Sequence, residues 1–463
     1  MRRGYGAGRP AAAVFGLATA FALGAPGATA QTLEQALAQA YQNNPTLNAQ
    51  RAASRVVDEQ VPQALSGFRP QVSAGADAGI VWSRTRTKAG VTTSGTVRPR
   101  GYGLTVTQDV FSGFRTVNQT RSAEAQVLGA RETLRNTEQN VLFDAVTSYM
   151  DVLRDTAIVD LQRQNLEALR EQLRATRDRF EVGELTRTDV AQAEARVAQA
   201  ESLLSGAQAQ LNASRAAFRR DIGIEPRKLV AARPVEQRLP RALDAAIAAS
   251  EGQHPAIAAA RYGVDAASLQ VKVAEGELLP IISLEGNVSR RHDPSLGVDK
   301  TADASVFGRL TVPIYQGGGE YSRIRESKET LGQRRLEADV TRDEVRAAVV
   351  QSFGLLAASR FQVEAAQAQV NAAQIALNGV QEEYRVGQRT TLDVLNAQAE
   401  LVSARSALIT AERDRVVNSY SLLSAVGRLS AEQLRLRVQA YAPEVHYNQV
   451  RDSWFGVRTP DGR

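Results

Sequence analysis

The sequence predicts a mainly α-helical protein with a β-barrel part. A long coiled-coil helical barrel would be joined to four β-strands per chain, and those strands would contribute to a barrel shared between chains. Three observations carry this reading. The mature sequence is an internal two-fold repeat at an offset of 204 residues through most of its length. Each half holds two segments that alternate apolar and polar residues. Each half then turns to a very long proline-free, helix-like stretch, a Val-Gly turn and a shorter heptad-patterned return.

Composition agrees. The chain has 463 residues, too many for one compact core, with 23% charged and only 5% aromatic residues. Alanine, leucine, glutamine, arginine and glutamate fill long runs, a mix that favours long helices over a globular enzyme. The formal charge is +6. Three of those positive charges, Arg2, Arg3 and Arg9, fall in a segment expected to be removed, so the mature excess is small and argues against nucleic-acid binding. The chain has no cysteine, which excludes disulfides, thiolate metal sites and a lipid on an N-terminal cysteine.

Residues 1–30 read as a secretory signal peptide. A basic start precedes the apolar run Ala11 to Ala25, and Ala28-Thr29-Ala30 offers a small-x-small cleavage site. The run is too short and alanine-rich to span a membrane comfortably. No later stretch reads as a spanning helix, so any membrane segment must be a β-barrel.

The first repeat, 31–225, opens with a short helix from Leu33 to Tyr41. A second is expected from Pro45 to about Ser66, with Asn43-Asn44-Pro45 as the turn between them. From Gln71 the period becomes two. Val72, Ala74, Ala76, Ala78, Ile80 and Trp82 share one face, and Gln71, Ser73, Gly75, Asp77, Gly79 and Ser83 the other, which predicts a half-wet strand. Arg84 to Arg100 is polar and reads as a loop. A second strand runs from Tyr102 to Phe111, with Tyr102, Leu104, Val106 and Val110 on the apolar face. From Ser112-Gly113 to Phe180 there is no proline, and Gly129 is the only later glycine. A helix of that length would be roughly 100 Å long. After Phe180-Glu181-Val182-Gly183, a return helix is expected from Thr188 to about Ile222. Its seam, Val190, Ala193, Val197, Ala200, Leu204, Ala207 and Leu211, alternates steps of three and four as a coiled coil requires.

Residues 226–242 form a proline-containing linker, and the second repeat fills 243–428. His254-Pro255 matches Asn44-Pro45, and Pro280 matches Pro70. A strand with Ile282, Leu284 and Val288 on one face leads through an expected loop near 293–302 to a last strand with Val306, Leu310, Val312 and Ile314. Both loops would face outside the cell. Tyr384-Arg385-Val386-Gly387 and Leu392-Asp393-Val394 copy the first turn, and the seam Val394, Ala397, Leu401, Ala404, Leu408 and Ala411 keeps its register. Each short return helix needs a partner to match its long neighbour, and the helices near 45–66 and 255–277 have the length to stack on it end to end. Residues 429–463 remain as a C-terminal tail, expected on the equatorial region.

Four strands cannot close a barrel, and their open edges would be a liability in water or lipid. Several chains sharing one barrel solve this, and three chains would give twelve strands, within the outer-membrane range. A small soluble sandwich would also fit the strand pattern alone.

These features closely resemble the TolC family of outer-membrane factors. The likeness rests on the two turn motifs, the strand-to-helix junctions Val110-Phe111-Ser112-Gly113 and Ile314-Tyr315-Gln316-Gly317, and the duplication. Ala442 to Asn448, with Trp454-Phe455-Gly456, is similar to the tail of members linked to protein secretion. The resemblance implies a homotrimer with a twelve-stranded barrel in the outer membrane and a helical tunnel across the periplasm. It implies docking to a periplasmic adaptor and to an inner-membrane ABC or proton-driven transporter, exporting drugs, or proteins by type I secretion.

Site residues carry over by motif. Arg389 matches the arginine that latches the closed tip to the neighbouring hairpin, Asp189 and Thr188 match its partners, and Tyr384 matches the tyrosine of that network. Asp393 matches an aspartate ringing the constriction. The family pattern has a second acidic ring one turn on, where this chain has Asn396, so a weaker cation preference is expected. Read without the resemblance, Asp189 and Asp393 complement the dipoles of their helices, and Thr188 could cap one.

No metal or cofactor pattern is present, and an enzyme finds little support. His254, His292 and His446 are far apart and without metal spacing, and neither His254 at its helix start nor His292 in its expected loop has the nearby carboxylate pattern of a catalytic dyad. A periplasmic coiled-coil adaptor or structural protein would use the seams but leave the strands unexplained.

Overall fold

The computed structural model describes residues 31–462; the expected signal peptide lies outside the described residues. Ten α-helices and six strands follow one another along them. In the first repeat these are α1 (Leu33–Asn43), α2 (Pro45–Asp58), α3 (Gln60–Leu65), β1 (Gln71–Ala78), β2 (Val81–Arg86), β3 (Thr92–Val97), β4 (Arg100–Ser112), α4 (Arg115–Glu181) and α5 (Arg187–Ile222). In the second they are α6 (Leu243–Gln253), α7 (Pro255–Glu275), β5 (Ile281–Ser295), β6 (Val298–Thr311), α8 (Gly319–Arg385) and α9 (Thr391–Ala425), with α10 (Pro443–Val450) in the tail. The two long helices, α4 and α8, have 67 residues each.

The main sheet is antiparallel in the order β1-β4-β5-β6. Its register brings the apolar alternations together. Ala74 lies opposite Leu104, Leu104 opposite Val288, and Val288 opposite Ala304; one step along, Val72, Val106, Gly286 and Val306 line up. The other face is polar and cross-linked. The Asn287 amide donates to Thr105 Oγ1 at 3.0 Å, Arg309 bonds Glu285 at 3.1 Å, and Arg291 pairs with Asp77. Among the described residues β1 and β6 each have a strand on one side only.

Four expectations about the strands are corrected. The first strand stops at Ala78, short of Ile80 and Trp82, and the expected loop from Arg84 to Arg100 is largely strand, because β2 and β3 pair as a separate hairpin from Val81↔Val97 to Arg86↔Thr92. Threonine's β-branched carbon suits a strand even where glycine and serine give a loop-like composition. The loop near 293–302 is also mostly strand, since β5 and β6 pair up to Ser295↔Val298 around Gly297, whose φ of +83° makes the reversal tight. Finally, β4 is bulged between Asp109 and Phe111. The bulge leaves Val110 out of register and turns Phe111 toward Ile282's face. β6 ends at Thr311, short of the expected Val312 and Ile314, ahead of Pro313.

The helices assemble as the repeat demands. The expected single helix from Pro45 to Ser66 is interrupted at Glu59: Pro62 has no amide to bond the Asp58 carbonyl, so α2 ends and α3 begins. Its copy α7 has Lys272 at that place and continues to Glu275. End-to-end stacking is present in both halves. The Asn44 amide, at the start of α2, donates to the Asp221 carbonyl at the end of α5 at 2.8 Å. At the end of α9, a side chain at Gly427 would meet the backbone of His254 at 2.7 Å, so only glycine lets α7 approach.

The largest core lies where α1, α4, α5 and α9 meet, around Leu37, Leu142, Tyr149, Phe218, Ile222 and Leu429. The Tyr149 hydroxyl lies 2.8 Å from the Gln31 carbonyl and 2.7 Å from that of Val230, pinning the linker. Both seams are buried at their small residues, Ala193 and Ala200 in α5 and Ala404 and Ala411 in α9. Among the described residues no helix is long and apolar enough to cross a membrane.

Candidate functional site

The far ends of α4–α5 and α8–α9 are two copies of one turn. Gly183 and Gly387 adopt left-handed φ of +82° and +79°. Each helix end is closed by paired backbone bonds, Gly183 N to Phe180 O and Glu184 N to Arg179 O in one, Gly387 N to Tyr384 O and Gln388 N to Glu383 O in the other.

Each return helix starts on a capping box. Thr186 Oγ1 accepts from the Asp189 amide while Asp189 Oδ2 accepts from the Thr186 amide at 2.9 Å and its hydroxyl at 2.6 Å. Thr390 and Asp393 repeat this at 2.9 and 2.8 Å. This corrects the expectation that Thr188 caps: it is the second helical residue, exposed, while Thr186 stands three residues before the carboxylate as the box requires. The hydroxyl and amide of Thr186 hold the Asp189 carboxyl below its ordinary pKa. The amide and hydroxyl of Thr390 do the same for Asp393.

Arg389 Nε donates to Glu383 Oε2 at 2.7 Å, in its own hairpin. Tyr384 sits under another cation: the Arg179 guanidinium, from the first hairpin, lies 5.2 Å from its ring centre. The Tyr384 hydroxyl is 3.4 Å from Thr391 Oγ1. Asn396 is also tied to the first hairpin, its Oδ1 accepting from Arg196 Nη2 at 2.8 Å, while Arg196 Nη1 donates to Gln199 at 3.1 Å. Beneath that bond Leu166, Leu169, Ala200 and Leu395 form a small buried cluster joining the hairpins.

Of the six residues singled out, Tyr384, Arg389, Asp393 and Asn396 thus lie on the second hairpin and Thr188 and Asp189 on the first. The links Arg179–Tyr384 and Arg196–Asn396 were not anticipated. A signal existed in the repeat. At the 204-residue offset Arg179 corresponds to Glu383, Arg196 to Glu400 and Leu185 to Arg389, so these positions are ones where the copies differ. What the two hairpins share builds each turn, and Arg179 and Arg196, where the copies differ, connect them. Among the described residues no cluster of histidines and carboxylates could hold a metal.

Comparison with known proteins adds to this geometry. The profile of the outer membrane efflux protein family matches residues 36–223 and 246–428. The chain is 46% identical over 439 residues to the outer membrane efflux protein BepC of Brucella suis, covering 94% of each. It is 26% identical over 438 residues to the outer membrane protein TolC of Escherichia coli, covering 90% of this chain and 87% of that one. In fold it is similar to the Campylobacter jejuni CmeC outer membrane channel, with a TM-score of 0.78 at 16% identity over 91% of this chain and 89% of the other.

Proposed function

The chain belongs to the outer membrane efflux protein family, and we propose that three copies form one channel whose periplasmic end is closed by the hairpin tips. It is an outer-membrane channel for efflux or secretion, with its helices extending into the periplasm, and not an enzyme. One observation carries the assembly: a sheet apolar on one face and polar on the other, in which, among the described residues, β1 and β6 each pair on one side only. Such a sheet meets lipid outside and water inside when copies join edge to edge. The competing expectation, a periplasmic coiled-coil adaptor, gives that sheet no apolar surroundings.

At the tips, Arg389 acts as the latch, releasing Glu383 to reach Asp189 and Thr188 of a neighbouring hairpin, with Tyr384 steadied by Arg179. Asp393 lines the constriction as an acidic ring. Asn396 supplies no second ring charge, and its amide joins the hairpins within a chain through Arg196. A periplasmic adaptor and an inner-membrane transporter, ABC or proton-driven, would dock at this end and part the hairpins. The cargo is a small toxic compound or a secreted protein.

The test is single-channel conductance of the purified assembly in planar bilayers, parent against Arg389→Ser. A low parent conductance that rises in the variant supports the latch. Deleting the gene and assaying both drug sensitivity and exported protein separates the two cargoes.

A further inference from the structure

We infer that the C-terminal tail lies in the lipid interface of the periplasmic leaflet of the outer membrane, through Trp454, Phe455 and Val457. This rests on reading the four-stranded sheet as the membrane segment.

The tail is carried to the rim of that sheet by a series of specific contacts. His446 Nδ1 lies 2.9 Å from Asp58 Oδ2, and Asp58 is only 1% exposed. The Arg131 guanidinium lies 5.2 Å from the Tyr447 ring centre and 3.6 Å from Glu444. Arg451 pairs with Glu124 at 3.6 Å. Arg69 then donates to the Ser453 carbonyl at 2.6 Å and lies 4.9 Å from the Trp454 ring centre. Arg69 stands two residues before β1, at the sheet end where β4 and β6 finish. The tail is therefore continuous with the edge of the lipid-facing surface.

What it presents there is apolar and uncovered. Trp454 is 61% exposed, Phe455 89% and Val457 100%. Phe68 and Phe114 are also exposed at this rim, Phe114 edge-on to Phe111 at 5.1 Å. Aromatic rings with a polar edge settle at headgroup level, and aromatic belts mark both rims of membrane barrels. Arg458, exposed in the same stretch, supplies a cation for lipid phosphates.

The chain has two tryptophans, Trp82 and Trp454. In the Trp82→Phe background, full-length protein in phosphatidylethanolamine vesicles carrying a quencher near the top of the acyl chain should show strong lipid quenching of Trp454. Adding Phe455→Ser and Val457→Ser should reduce it at least twofold. Quenching by aqueous acrylamide alone, as for a free tail, overturns the inference. So does shielding from both quenchers, which would mean that a second copy covers the tail. If Trp82→Phe does not assemble, the parent signal minus that of Trp454→Phe reports the same quantity. Val288→Trp in a background of Trp82→Phe and Trp454→Phe tests the sheet itself: quenched there but not at Trp454, only the tail inference fails, and quenched at neither, both fail.

Discussion

Arg196 of α5 donates to Asn396 of α9 across the two hairpins of one chain, 200 residues apart in sequence, at 2.8 Å. A neutral acceptor here joins the hairpins without adding charge to the constriction proposed at Asp393. At this solvent-exposed position losing the bond costs about 0.5–1 kcal/mol, a shift of roughly two- to fivefold in a two-state population. Arg196→Ala and Asn396→Ala are each expected to raise channel opening about two- to fivefold on that basis. The double variant should do no more than either single one, because both remove the same bond. Additive effects in bilayer recordings would show that the two residues act separately.

Asp393 is the acidic group proposed to line the constriction. Thr390 holds its carboxyl below the ordinary range, so it stays ionised above the usual carboxylate pKa and resists protonation on acidification. Reversal potentials in a salt gradient should show cation preference persisting through about pH 4. Asp393→Asn should abolish that preference at all pH values, and Asn396→Asp should increase it. A preference unaffected by Asp393→Asn would assign selectivity elsewhere.

Much of the fold was legible in the sequence. The duplication, the two long helices and the strand parity are all periodic patterns, and Asn44-Pro45 and His254-Pro255 mark helix starts that the structure retains. The β2–β3 hairpin was not legible, because Thr92 to Val97 carries loop-like composition on a strand exposed along most of its length. The bulge at Val110 was hidden because one inserted residue changes which face follows without altering composition. The links Arg179–Tyr384 and Arg196–Asn396 depend on how two hairpins pack, which no local period encodes.

His254 makes a pH-dependent helix start. Its Nδ1 accepts from the Ala256 amide at 3.2 Å, and burial holds the imidazole's pKa down at about 4. An unfolded histidine titrates near 6.5. Above about pH 6.5 both states are neutral and the contribution is whole; between 6.5 and 4 the unfolded chain takes up a proton and the folded one does not, so stability is lost as pH falls. The first repeat uses Asn44 at this position, capping Thr46 at 2.9 Å. His254→Asn should therefore keep the cap and melt with a shallower pH dependence between 6.5 and 4. Identical slopes in parent and variant would remove His254 from the account.

Tyr149 ties the linker to the largest core. Burial pushes its phenol up to about 12, so the hydroxyl stays protonated through the physiological range. Tyr149→Phe keeps the ring beside Phe218 and removes only the bonds to Gln31 and Val230. The expected cost is about 1–2 kcal/mol, read as a lower denaturant midpoint with unchanged slope. An unchanged midpoint would mean the linker needs no such anchor.

The tail should detach when its buried partner is lost. His446→Ala removes the hydrogen bond to the buried Asp58 carboxyl, a cost of about 1–3 kcal/mol for a buried group left without its partner. Limited trypsinolysis should then cut at Arg451 faster than in the parent. Equal cleavage rates would show that other contacts hold α10.

The central claim is that the channel is closed by its own hairpin tips and that Arg389 latches them. Single-channel conductance of the reconstituted assembly tests it directly. The parent should conduct weakly and Arg389→Ser several-fold more, with the assembly still intact on the membrane. A parent that already conducts as a wide pore, or a variant with unchanged conductance, would contradict it.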